Sequence, residues 1–436
     1  MVGIAPLDAA AHAPLKRMAV GVDEARDSQR GGRHGAYPPT PVPDITPHRM
    51  LDWFAQLAAI GRTDSGWNRL AWTQGEADAR AWFSAVAGGL GLEIRQDGAG
   101  TLWAVTPDAE RGPWVCCGSH LDTQPNGGAY DGALGIVSAL EAAATLLEAG
   151  VPRARPLAVA AFVDEEGARF RTPCFASLAI TGGLQIDHVL EVMGDAAGIY
   201  GVTAETLRES RSQLRRVACF LEVHVEQGRS LVDRGLAVGV ATVLAPRQRW
   251  RVTFRGESNH AGTTMMAERH DALVAAAPFI LAVDEVARSR PGAVGTVGRL
   301  EVLPGSTNSV PGTVAASLDV RALDVATVDA MVAELRERFA DAEFGMESRN
   351  DGAAFDPDLR AALTAAAAAR GIAAGDLPSY AGHDAGILAP HRPAAMLFVR
   401  NPTGQSHTPA ESAADEDCLA AAQVLTDALA AALARG

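Results

Sequence analysis

The sequence predicts an α/β protein: a mixed, mostly parallel sheet flanked by helices, with a smaller α+β domain inserted into it. Three observations predict it. An apolar run, Trp114-Val-Cys-Cys117, leads to His120, Asp122 and Asp131 among Gly127, Gly128 and Gly132, and then to an Ala-rich apolar stretch over 133–147. A strand that turns through glycines into a helix is how open α/β sheets build sites at their strand ends. A second continuous apolar run, Pro156 to Val163, has the character of a central parallel strand and stops at Asp164-Glu165-Glu166-Gly167. Third, the order changes between 249 and 340 to strand, helix, strand, strand, helix, and the first pattern returns over 355–436.

Local patterns justify each element in turn. Residues 1–44 carry Gly31-Gly32 and Pro38, Pro39, Pro41 and Pro43, offer little to bury, and are expected to form a disordered extension. Thr46-Pro47 starts a helix in which Met50, Leu51, Phe54, Leu57 and Ile60 keep helical spacing. Residues 75–91 repeat that spacing, and a strand, a Gly turn and a strand follow up to 105. Residues 219–228 alternate, so Glu222, His224 and Glu226 share one face. Residues 249–256 alternate as a half-buried strand. A helix over 271–288, strands near 293–303 and 313–322, and a helix over 326–340 complete the insert, which closes at the Asn350-Asp351-Gly352 turn. A helix over 357–371, a strand over 394–400 and a helix over 415–434 return to the main domain. The expected organisation is an extension (1–44), a first part of the main domain (45–247), the insert (248–353) and a second part of the main domain (354–436).

Composition narrows the function. With 436 residues the chain is long enough for two cores. The formal net charge is −14, Lys16 is the only lysine, and no basic cluster stands out, which argues against nucleic acid or an anionic membrane as partner. No apolar run has the length of a spanning helix, and the N-terminus lacks the apolar core of a signal peptide. Five irregularly spaced cysteines read as reduced thiols of a cytoplasmic protein.

Four strand ends carry candidate ligands: His120 with Asp131, Glu165 with Glu166, His224, and His407. Two histidines with carboxylates suit one divalent ion; three histidines with two carboxylates suit two. Asp131, in a Gly-rich turn, is the best bridging candidate. Asp122 is placed to accept the other ring N–H of His120 and fix its tautomer. A lone histidine at a strand end is more often structural, and a Glu-Glu pair is more often solvated. Adjacent acids directly after a long apolar strand are poorly explained by solubility, and all four positions coincide at strand ends.

The segments Gly118-Ser-His-Leu-Asp-Thr, Gly127-Gly-x-x-Asp-Gly, Glu165-Glu-Gly-x-Arg-Phe170, Glu222-Val-His-Val-Glu-Gln-Gly228, Asn259-His-Ala-Gly-Thr-Thr264, Asn308-Ser-Val-Pro-Gly312, Asp319-Val-Arg321, Gly382-His-Asp-Ala385 and Ser406-His-x-Pro-x-Glu411 resemble the M20 metallopeptidase-like clan. They are most similar to its amidohydrolase branch of N-carbamoyl-L-amino-acid hydrolases, allantoate amidohydrolases and dinuclear β-ureidopropionases. The resemblance runs from about residue 48 to the C-terminus. It implies that His120, Asp131, Glu166, His224 and His407 hold two divalent metal ions per subunit, of Zn, Mn, Co or Ni, with Asp131 bridging. It implies Glu165 as general base beside Asp122. It implies that the insert is a ferredoxin-like dimerisation lid whose His260 enters the partner's site in a homodimer and stabilises the oxyanion. Gln227, Asn308 and Arg321 match substrate-binding positions, with His383 and Glu411 behind them. Two departures concern the pocket: Met265 stands where the family usually has Pro, and Tyr380 where it usually has Gly.

The implied activity is hydrolysis of the ureido C–N bond of a small ureido acid, an N-carbamoyl-L-amino acid ahead of allantoate. A dipeptidase of the same clan and a non-catalytic metal-binding protein are the lesser alternatives. Gln227-Gly228 opposes the first of these, and the complete ligand set with Glu165 opposes the second.

Overall fold

A computed structural model describes residues 42–435. The strand Trp114–His120 is buried along its whole length. Parallel strands lie on both sides of it, Leu157–Phe162 on one and Val217–Val225 on the other. Ala394–Val399 runs parallel beside Val217–Val225. These four form the parallel centre of a nine-stranded sheet. Its flanks turn antiparallel, through Leu102–Val105 and Glu93–Gln96 at one edge and Val238–Leu244 at the other. Ala374–Ser379 pairs parallel with the outer side of Val238–Leu244, and Ala353–Ala354 pairs antiparallel with Leu244 and Val243 on the opposite side.

Helices cover both faces, so the central strands are apolar on both sides. Ala133–Glu148, Pro47–Ala59, Pro357–Ala369 and the closing helix Asp415–Ala434 pack on one face. The short helices Phe175–Thr181, Ile186–Met193 and Ala204–Ser210 pack on the other. Ala133–Glu148 lies between the sheet and Asp415–Ala434 and is buried from Ala133 to Leu146, which is why alanine dominates it. By length and composition Asp415–Ala434 is apolar enough to cross a membrane, but 67% of its most apolar window is buried inside the fold. Core packing accounts for its composition.

A second, five-stranded antiparallel sheet contains Val294–Thr296, Leu300–Leu303, Thr313–Arg321, Arg247–Arg255 and Glu343–Asn350. In Arg247–Arg255 the residues Gln248, Trp250, Val252 and Phe254 are buried beneath the helices Ala272–Arg288 and Val325–Arg338, while the alternate residues lie on the open face. Asp271 and Asp324 cap the two helices by accepting backbone N–H groups.

The structure adds elements that the sequence pattern did not predict. These are the short helices between 175 and 210, the strands Val238–Leu244 and Ala374–Ser379, and Glu343–Asn350, which closes the smaller sheet. The disordered extension expected over 1–44 lies outside the described residues up to 41. Residues 42–44 contradict it, because Val42 packs on the core and Asp44 pairs with Arg370.

Candidate metal centre and active site

The parallel strands deliver their ligands to one point at their C-terminal ends, where the chain order reverses between neighbouring strands. His120 closes Trp114–His120. Its Nδ1 lies 3.0 Å from the Asp122 carbonyl, and its Nε2 lies 3.2 Å from Asp131 Oδ1. His224 repeats the arrangement, with Nδ1 2.9 Å from the Val225 carbonyl and Nε2 3.1 Å from the same Asp131 oxygen. A carbonyl only accepts, so Nδ1 carries a proton in both rings and Nε2 is the nitrogen left to meet a ligand. Both Nε2 atoms are buried and have no hydrogen-bond partner among the described residues.

The second Asp131 oxygen faces another group. It lies 3.5 Å from His407 Nε2, and it accepts from Gln227 Nε2 at 3.0 Å. His407 Nε2 lies 3.4 Å from Glu166 Oε2. Two sets, His120/Asp131/His224 and Asp131/Glu166/His407, thus each offer ligand atoms within 4.8 Å of one another, with Asp131 in both. Orphaned imidazole nitrogens around a shared carboxylate fit a pair of divalent ions, and the donor set admits Zn, Mn, Co or Ni.

Neighbouring groups hold this arrangement in place. Gly132 has φ of 67°, and a Cβ there would lie 2.5 Å from the His120 ring. Asp164, Cys174 and His407 all have positive φ without being glycine, the kind of local strain that clusters at functional sites. Glu166 accepts from Gln124 Nε2 at 2.9 Å. Glu222 is buried and accepts from Ser119 Oγ at 2.8 Å and from the Ala385 N–H at 3.0 Å. Glu226 accepts the Ser230 and Leu231 N–H groups. Of the three alternating residues, then, only His224 joins the ligand groups.

Two site residues take roles other than those expected. The Asp122 carboxylate does not fix the His120 tautomer, because its backbone carbonyl does. The carboxylate instead accepts the N–H groups of Glu165 and Glu166 at 3.2 and 3.1 Å and holds that turn. Glu411 is not among the residues lining the cavity next to the ligand groups. Its Oε1 accepts the N–H groups of Tyr130 and Asp131 at 3.1 and 2.9 Å, which fixes the bridging carboxylate.

Glu165 lies beside the ligand groups, with Oε2 3.8 Å from His120 Nε2 and Oε1 3.7 Å from Cys174 Sγ. Burial raises its carboxyl well above the usual range; His120 opposes the rise and Asp384 adds to it. Burial, then Asp131, pushes Glu166 up to about 8. Asp131 goes the other way: burial would raise it, but His224 and His120 hold it well below the usual range. Burial, then the neighbouring His224, holds His383 well below the usual imidazole value, and both its ring nitrogens lack a partner among the described residues.

A cavity of about 440 Å³ adjoins this centre, lined by Gln227, Arg321, Ser379, Tyr380, His383 and Phe398 among others. Arg321 stands at its wall. Its Nε and Nη2 donate to the two Asp319 oxygens at 2.8 and 3.1 Å, and Nη1 donates to the Tyr380 carbonyl. The Tyr380 hydroxyl donates to the Gly292 carbonyl at 2.7 Å, tying the loop before His383 to the smaller sheet's domain. His260, on the short strand segment Asn259–His260, and Asn308, in the turn before its pairing partner Ser309–Val310, are exposed and line no part of this cavity within the chain. Met265, near them, is 65% exposed. Gln124 and Cys174 were not legible as site residues, since neither stands at a ligand-like spacing.

A sheet of this kind with two His–carboxylate groups sharing one aspartate at its strand ends is consistent with a dinuclear metal site. Residues 116–431 match the model of peptidase family M20/M25/M40. The chain is 36% identical over 405 residues to an N-carbamoyl-L-amino acid amidohydrolase of Geobacillus stearothermophilus, covering 87% of this chain and 97% of that protein. It is 30% identical over 424 residues to a ureidoglycolate hydrolase of Oryza sativa subsp. japonica, covering 92% and 87%. A crystal structure of an amidase of the hydantoinase/carbamoylase family from Burkholderia multivorans superposes with a TM-score of 0.79 at 29% identity, covering 89% of this chain and 98% of that one. The chain belongs to the M20 family, and within it to the hydantoinase/carbamoylase branch of amidohydrolases.

Proposed function

We propose that this amidohydrolase cleaves the ureido C–N bond of an N-carbamoyl-L-amino acid, releasing ammonia, carbon dioxide and the amine. The observation that carries the reading is the cavity of about 440 Å³, which has Arg321 on one wall and Gln227, bonded to Asp131, on another. A ureido acid has that polarity, a carboxylate at one end and a ureido group at the other.

His120, Asp131 and His224 would hold one divalent ion, and Asp131, Glu166 and His407 the other. Such ions supply Lewis acidity, polarising a carbonyl and acidifying water. Glu165 takes a proton from the attacking water on its carboxylate and returns it to the departing nitrogen. Gln227 and His383 orient the ureido end and Arg321 the carboxylate, with Asn308, like His260, reaching that site only from the partner of a homodimer. His260 stabilises the oxyanion from the partner of a homodimer. Its exposure within one chain supports that role. So do the exposed Val274 and Leu281 on the helix Ala272–Arg288, an apolar stripe suited to a second copy. A reducing compartment such as the cytoplasm suits the five buried, unpaired cysteines.

The relationship to a ureidoglycolate hydrolase favours a second reading, a ureide of purine breakdown such as ureidoglycolate or allantoate. Ammonia release by Mn-reconstituted protein, measured in parallel on N-carbamoyl-L-amino acids, N-carbamoyl-β-alanine, allantoate, ureidoglycolate and a dipeptide, decides between them. Turnover of N-carbamoyl-L-amino acids is expected. Turnover of a ureide alone would reverse the order, and cleavage of the dipeptide alone would remove the amidohydrolase reading.

A further inference from the structure

The open face of the smaller sheet carries more positive charge beside the cavity than one carboxylate can neutralise. Antiparallel register places Arg247 directly opposite Arg321, and Arg249 directly opposite Asp319. All four side chains share a face, by the period of two. Asp319 satisfies two of the three arginines: it accepts from Arg249 Nε at 2.8 Å and from Arg321 at 2.8 and 3.1 Å. Arg247 has no ion pair, and its Nε is buried with no hydrogen-bond partner among the described residues. Burial, then Arg249 and Arg321, lowers its guanidinium to about 10.

Like charges directly opposite one another on a sheet are destabilising, and a buried guanidinium N–H without an acceptor costs more. The fold does not need this pair, because the packed face of the same strand consists of Gln248, Trp250, Val252 and Phe254. One member of the cluster reaches the cavity. Arg321 lines the cavity and bonds the Tyr380 carbonyl, three residues before His383. Arg247 stands directly opposite Arg321 on the same open face, one strand away from the cavity wall that Arg321 forms.

We infer that Arg247 and Arg321 form a two-anion subsite and that the substrate is a ureido acid with a second acidic group, an N-carbamoyl amino dicarboxylate in chemical class. Three arginines against Asp319 leave a surplus of two positive charges. The substrate's α-carboxylate takes one, and a carboxylate on its side chain takes the other. This inference rests on the ureido-acid reading and narrows it.

The test compares N-carbamoyl-L-aspartate and N-carbamoyl-L-glutamate with N-carbamoyl-L-alanine on wild type, Arg247→Met and Arg247→Lys. The wild type is expected to prefer one of the dicarboxylates. Arg247→Met should lower kcat/KM for it by roughly 10- to 100-fold, the effect of one charge-assisted pair, and leave the alanine derivative within about 3-fold. Arg247→Lys should recover part of the loss. Equal losses on all three substrates, or a wild-type preference for the alanine derivative, would overturn the subsite while leaving the ureido-acid reading intact. No turnover of any ureido acid would overturn both. Calorimetric binding of glutarate against butyrate gives a readout without turnover: glutarate should bind more tightly, Arg247→Met should erase the difference, and equal wild-type affinities would count against the subsite.

Discussion

At the scale of single residues, position within a few ångströms separates the two adjacent glutamates. Glu166 shares its Oε2 with His407 and Gln124, whereas Glu165 touches no second ligand carboxylate and faces the cavity side through His383. Glu165→Gln is therefore expected to lower kcat by ~10³ or more with metal content unchanged, as loss of a general base does. Metal analysis of the purified variant checks this, and loss of an ion would exchange the two roles. Gly132→Ala tests the backbone beneath the site. Its φ is 67°, and the new Cβ would meet the His120 ring at 2.5 Å, so either the turn or the ring must move. The expected cost is ~1–3 kcal/mol of stability together with weakened metal retention. A variant with wild-type melting temperature and metal content would show that the turn yields freely.

Glu76 supplies a pH prediction at the same scale. It is buried, accepts the Trp72 N–H at 2.7 Å and the Tyr200 hydroxyl at 2.9 Å, and burial lifts it to about 7 against the pull of Arg80. Its folded value is raised above the ordinary carboxylate value. Between that ordinary value and about 7 the folded state keeps a proton that the unfolded chain has lost. Stability therefore falls as pH rises through this window, by up to about 1.4 kcal/mol per pH unit. Glu76→Gln should remove that slope. Melting temperatures of both proteins from pH 4.5 to 7.5 test it, and parallel curves would refute the shift.

At the scale of elements, the site depends on segments far apart in the chain. The carboxylate of Glu411 holds the Tyr130 N–H across 281 positions and the Asp131 N–H across 280. Glu411→Ala leaves both donors unpaired beneath the shared ligand. It should weaken metal binding by ~10- to 100-fold, as loss of an outer partner does. Chelator competition measures this; a changed KM with unchanged metal affinity would return Glu411 to the substrate side. Such a role was not legible in the sequence, where Glu411 is one acid in a polar loop. The ligands themselves were legible, because His120 and the Glu165-Glu166 pair each follow an apolar run that only a buried strand explains. Central strands such as Leu157–Phe162 could be read for the same reason. Glu343–Asn350 could not: it is a largely exposed strand without a clean apolar–polar alternation, and its pairing with Arg247–Arg255 comes from tertiary contact rather than from its own pattern. Likewise the charge on the open face of the smaller sheet becomes visible only when the register sets Arg247 against Arg321.

At the scale of the whole molecule, the positions of His260 and Glu165 make a prediction that neither residue makes alone. Glu165 is buried at the strand ends, and His260 is exposed on a short strand segment that lines no part of the cavity in its own chain. If His260 serves the partner's site, the two residues complement one another in trans. His260→Ala homodimers should lose ~10²–10³ in kcat, the usual effect of removing an oxyanion donor, and Glu165→Gln homodimers should be inactive. In a heterodimer of the two variants, the site that keeps Glu165 receives His260 from the other subunit and is intact. The remaining site lacks both. Statistical exchange of equal amounts should thus restore about a quarter of wild-type activity, since half the dimers are mixed and each carries one intact site. Mixing after dissociation and reassembly, with size-exclusion chromatography and light scattering to establish a dimer, measures this directly. Activity that stays at the average of the two homodimers would place His260 in its own chain's chemistry or outside it. A monomer with full activity would remove the shared site altogether.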